Sequence, residues 1–132
     1  MRLPIVLSVI LLAGCTSNYD QFQQNTDAKA VILAGDKSIS SEKLCTTSGY
    51  LAAAMQSSEA KINNSIWNNM YFRKLSIQKA IKLRVNDGTI GLKDRSLTPA
   101  QLCKSLSDSG FQKYGEERAK EDASRVDPWK DI

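Results

Sequence analysis

The sequence predicts an all-α fold, a small bundle of three or four helices. Apolar residues recur at three- and four-residue intervals through the middle of the chain, turn residues punctuate those runs, and strand-type alternation is scarce. At 132 residues and 42% hydrophobic, the chain suits one small domain rather than two and is too apolar to be disordered throughout. It contains no His. That excludes a Ser-His-Asp or Cys-His nucleophile system, a His-bearing metal site and a His-based pH switch.

Residues 1–14 carry Arg2 followed by an apolar run too short to span a bilayer as a permanent helix, the pattern of an export signal. Residues 16–27 are polar with two isolated aromatics and read as a mostly flexible tether. Residues 28–34 are compact and largely apolar, end at Gly35 and fit a short helix or a strand, with Thr26 or Asp27 as an N-cap favouring the helix. Ser40 begins the next helix, whose apolar face is Leu44, Ser48, Leu51, Ala52 and Met55. Ser57, Ser58 and Glu59 break or merely polarise the chain before a second run. There Ile62, Ile66, Met70, Ile77 and Ile81 share a face, and Trp67, Tyr71 and Leu75 form an adjoining row that stops near Asn86-Asp87-Gly88. Thr98-Pro99 is the clearest helix start, followed by Leu102, Cys103 and Leu106, with Gly110 as C-cap. Phe111 and Tyr114 would pack after that helix, and a charge-rich tail closes at Pro128-Trp129.

The apolar leader ends in Leu12-Ala13-Gly14-Cys15, which resembles the lipobox of bacterial lipoproteins. The resemblance covers residues 1–15. It implies that Cys15 receives a diacylglycerol and, after cleavage before it and acylation of its amino group, anchors the mature protein in a membrane. Several acyl chains hold a small domain there essentially permanently. Thr16, rather than Asp, follows the Cys, which by the same resemblance implies outer-membrane delivery, with the domain facing the periplasm. The competing readings are an ordinary signal peptide cleaved at a small-residue site and a soluble protein whose first strand is apolar. Loss of residues 1–14 removes one charge, so the formal +4 falls by one. That excess is too small to argue for nucleic acid, and no nucleic acid partner is expected.

With Cys15 lipidated, Cys45 and Cys103 remain as a pair in an oxidising compartment, where they should be joined. They stand 58 positions apart, for which chain entropy predicts about 4 kcal/mol of stabilisation. A redox-active pair is disfavoured because the C-x-x-C spacing is missing. The expected layout is a signal peptide over 1–14, a lipidated N-terminus, tether and short helix over 15–39, a disulfide-clamped helical domain over 40–115 and a charged tail over 116–132.

Arg73, Lys74, Lys79, Lys82, Arg84, Lys93, Arg95 and Lys104 form a basic window whose only acids are Asp87 and Asp94. Arg73, Lys74, Lys82 and Arg84 could meet anionic lipid or an acidic partner. A solvated helix face balanced by the acidic tail is the bland alternative. Trp67, Tyr71 and Leu75 read as core packing rather than an open groove. Trp129 is a terminal anchor that docks on a partner or back on the domain. Glu42, Glu59, Glu116 and Glu117 supply carboxylates without a defined acid-base separation, and no cofactor, metal or small-molecule substrate is expected. In size, lipid and disulfide the chain is similar to small helical pilotin lipoproteins, which escort secretin subunits of secretion systems. That likeness implies a non-enzymatic adaptor that binds another envelope protein. The alternatives are an exclusion or protective lipoprotein that blocks phage, conjugation or an incoming hydrolase, and an envelope hydrolase.

Overall fold

The computed structural model describes residues 17–94 and 96–124. Cys15 and Trp129 lie outside them. The described residues form five helices and no strand: α1 (Ser17–Gly35), α2 (Ser41–Ala54), α3 (Ser58–Ile62), α4 (Asn64–Asn86) and α5 (Pro99–Ser124). None of these helices is long and apolar enough to cross a membrane.

Local chemistry sets most of the boundaries. The Ser40 hydroxyl accepts from the Lys43 N–H at 3.1 Å and starts α2. Ser57 does the same for Ala60 at 3.3 Å, so the serine pair breaks the chain and opens the short α3. Asn63 then caps α4, its Oδ1 accepting from Ser65 and Ile66. These separate starts raise the count above the three or four helices predicted. At α5, the Thr98 hydroxyl accepts from the Gln101 N–H at 3.2 Å, while Gln101 Oε1 accepts from the Thr98 N–H at 3.0 Å. This reciprocal capping box joins Pro99, a residue already suited to the first helical turn. The stop near Asn86-Asp87-Gly88 is also as predicted, with Gly88 at φ 76°.

Two boundaries differ from the sequence reading. The segment expected to be a tether is helical from Ser17, and Thr26 lies in the middle of α1, fully buried, donating its hydroxyl to Gln23 O at 2.8 Å. Phe22, Thr26, Ala30 and Leu33 fall on one helical stripe, which α4 covers. Gly110, expected as a C-cap, lies inside α5, which continues to Ser124 through Phe111, Tyr114 and the first part of the charged tail.

Gly110 is needed for contact instead. A Cβ built on it would sit 1.9 Å from Thr46 O, and one built on Gly49 would sit 1.7 Å from Ser107 O. The two glycines let the backbones of α2 and α5 touch. Beside this crossing, Cys45 and Cys103 form the expected disulfide, with Cα atoms 5.1 Å apart. The two helices run the same way, since Cys45 meets Cys103 and Tyr50 meets Tyr114 further on. Tyr50 donates to Glu117 Oε2 at 2.8 Å, and Arg118 pairs with Glu59 of α3.

The core lies where α1, α2 and α4 meet. Ala30, Leu44, Leu51, Ile77 and Ala80 form it, with Leu33, Ala34, Ile39, Met70 and Ile81 packed around. The row predicted along the second run therefore divides: Ile77 is buried and Met70 and Ile81 half-buried, whereas Ile62 is 86% exposed. It falls in α3, before the helix break, and so cannot share the α4 face.

Candidate functional site

Arg84 is the first correction to the predicted contact surface. It is buried, and its guanidinium donates to Leu33 O at 3.1 Å, Ala34 O at 3.0 Å, Asp36 O at 2.8 Å and Ser41 Oγ at 3.0 Å. The acceptors are the carbonyls at the C-terminus of α1, the turn behind it and the first residue of α2. A cation suits the negative end of a helix, and it adds a charged donor to Leu33 O and Asp36 O, which also accept from the N–H groups of Asp36 and Ile39. Arg84 therefore fastens the α1–α2 corner to α4 and presents nothing to a partner.

Lys79 is also committed. Its ammonium donates to Gln23 Oε1, Thr26 Oγ1 and Asp27 Oδ1 at 2.7–2.9 Å, which uses all three of its protons. Nearby, Phe22 stacks on Tyr71 with centroids 6.0 Å apart, and Tyr71 on Trp67 at 5.1 Å. Phe22 of α1 thus covers Tyr71, and Trp67 stacks on Tyr71 in turn.

The remaining cations separate onto different surfaces. Lys82 and Lys104 border an open groove of about 770 Å³ between α4 and α5, floored by α2. Ile81, Val85, Pro99, Ala100 and Cys103 give it apolar walls, and Val85 is 44% exposed. Arg73 instead lines a smaller cleft of about 380 Å³ bounded by α1, α2 and α4. Lys93 borders a third hollow, at the end of the bundle near Arg84, while Lys74 is half-buried on α4. The window continuous in sequence is therefore not one patch in space.

The carboxylates are similarly dispersed. Glu59 pairs with Arg118, Glu117 accepts from Tyr50, and Glu116 accepts from Gln112 at 3.1 Å. The bond to Glu117 holds the Tyr50 proton and raises its pKa above the ordinary 10.0, with burial adding to the effect. Among the described residues, no three His, Cys, Asp or Glu side chains are grouped so as to hold a metal ion.

No known protein family, curated protein or solved structure matches the chain. Sequence reasoning missed Lys29 and Lys43, which line the smaller cleft with Arg73 but come from α1 and α2. Their only sequence signal is helical placement: each lies four residues before a cleft-lining Leu33 or Thr47.

Proposed function

We propose that this protein is a lipid-anchored envelope adaptor, held in the outer membrane through Cys15, whose helical domain faces the periplasm and binds another envelope protein. The lipobox-like Leu12-Ala13-Gly14-Cys15 supports the anchor and the compartment, and a Cys45–Cys103 disulfide is compatible with an oxidising one. The observation that carries the partner reading is the α4–α5 groove. It combines apolar walls at Ile81, Val85, Pro99 and Ala100 with the cations Lys82 and Lys104 at its border. Apolar surface left open beside charge is the usual character of a protein-docking face. It fits a partner segment with apolar anchors and acidic neighbours.

The test is crosslinking of the acylated protein in its own membrane, followed by affinity recovery and mass spectrometry, beside Cys15→Ser and Val85→Glu forms. One stoichiometric envelope protein, diminished in both variants, is the expected result. Recovery that Val85→Glu leaves unchanged would refute the groove. Recovery of no envelope protein would refute the adaptor and favour the exclusion reading.

A further inference from the structure

We infer that the cleft between α1, α2 and α4 is a binding site for a single-chain anionic amphiphile, specifically a long-chain fatty acid held by its carboxylate. This ligand is additional to the protein partner and is bound rather than transformed. Three properties of the cleft carry the inference.

Its interior is apolar, lined by Leu33 of α1, Ile39 of the following turn, Leu44 and Leu51 of α2, and Ile77 of α4. Of the two hydroxyls that line it, Ser76 is already committed, donating to Phe72 O at 2.8 Å. The walls are helices, whose backbone amides are paired within each helix, so an extended peptide would find no ladder to join. An alkyl chain has no such requirement.

Charge at the mouth selects the head group. Lys29, Lys43 and Arg73 are exposed, line the same cleft, and come from three different helices, while no Asp or Glu among the described residues lines it. None of the three makes an ion pair or side-chain hydrogen bond within the described residues, unlike Lys79 and Arg84. Three cations lining one apolar opening match an anion at the end of an apolar body.

Size selects the number of tails. A volume of about 380 Å³ lies near the lower end of the roughly 300–1,000 Å³ span of small-molecule sites, so the cleft takes one chain rather than the two of a diacyl phospholipid.

The test uses the acylated mature protein in phosphatidylcholine vesicles and palmitic acid carrying a mid-chain diazirine. After irradiation, the labelled residues are mapped by mass spectrometry. The expected result is saturable labelling centred on Leu33, Ile39, Leu44 and Leu51. The double variant Lys43→Glu/Arg73→Glu should bind about tenfold more weakly, with unchanged helical circular dichroism and melting because both side chains are exposed. A hexadecanol probe should bind as weakly in the unaltered protein as palmitate does in the variant. Equal labelling of protein and variant would overturn the site and indicate simple partition of the probe. Saturable labelling by a photoreactive lysophospholipid but not by palmitate would overturn the carboxylate. Labelling that emerges only after residues 125–132 are deleted would show that the chain's own C-terminus occupies the cleft, and would overturn the inference as well.

Discussion

At the scale of single residues, a guanidinium buried among neutral oxygens is the most consequential feature of the fold. Four acceptors and the C-terminal end of α1 compensate Arg84 for its lost water. Removing it strips Ala34 O of its donor and leaves Leu33 O and Asp36 O with only the N–H groups of Asp36 and Ile39, so Arg84→Met should lower unfolding stability by about 2–4 kcal/mol in urea titrations. Arg84→Lys should fall between, because one ammonium cannot reach acceptors spread across the corner; equal stability of the two variants would contradict the clamp. The acidic limb of the stability profile belongs to residues of another type. Asp36, Asp87 and Asp94 each accept from the hydroxyl and N–H of the Ser or Thr two positions on, and those bonds hold their carboxyls below the ordinary 3.8. Folded values lower than unfolded ones contribute stability above pH 3.8 that is lost as pH falls through the folded values. The melting temperature should therefore hold at mildly acidic pH and drop below about pH 4. Asp36→Asn/Asp87→Asn/Asp94→Asn should flatten that drop.

At the scale of elements, one helix contains two glycines of opposite consequence. Gly110 faces α2, where a Cβ would strike Thr46 O, while Gly115 has nothing within 4 Å. Gly110→Ala should therefore destabilise by about 3 kcal/mol or more through displacement of backbone. Gly115→Ala should stabilise by up to about 1 kcal/mol through helix propensity, and the pair of melting curves checks both signs. Elements governed by local chemistry were legible in the sequence: Ser40, Thr98-Pro99 and Asn86-Asp87-Gly88 carry caps and turns within a few residues of the boundary they set. The N-terminal half of α1 was not. Its supports are Lys79, Tyr71 and Phe72, about fifty positions away, and no window centred on residues 17–27 contains them. Gly110 misled for the same reason, since its small size answers to Thr46 on another helix. The smaller cleft was only partly legible: Arg73 belonged to the basic window, but Lys29 and Lys43 join it only once three helices are assembled.

At the scale of the molecule, the helices form two overlapping associations that share α2. In one, α1, α2 and α4 enclose the apolar core and are tied by Arg84 and Lys79. In the other, α5 lies along α2 through a crossing of glycines, a disulfide and the Tyr50–Glu117 bond. The main apolar cluster contains no residue of α5. Its attachment runs through α2, the most extensive helix pairing among the described residues, and the covalent link reinforces it, contributing about 4 kcal/mol by chain entropy against a total of roughly 5–15 kcal/mol for a small domain. Cys45→Ala/Cys103→Ala should consequently not loosen the protein evenly. Hydrogen exchange should accelerate along residues 99–124 far more than at Leu44, Ile77 and Ala80, because α5 can leave α2 without opening the core. The α4–α5 groove would open with it, so the same variant should lose the proposed envelope partner while retaining the palmitate labelling proposed for the α1–α2–α4 cleft. Uniform acceleration across all helices would instead mean that α5 and the core unfold as one cooperative unit, and loss of partner and palmitate together would follow from that.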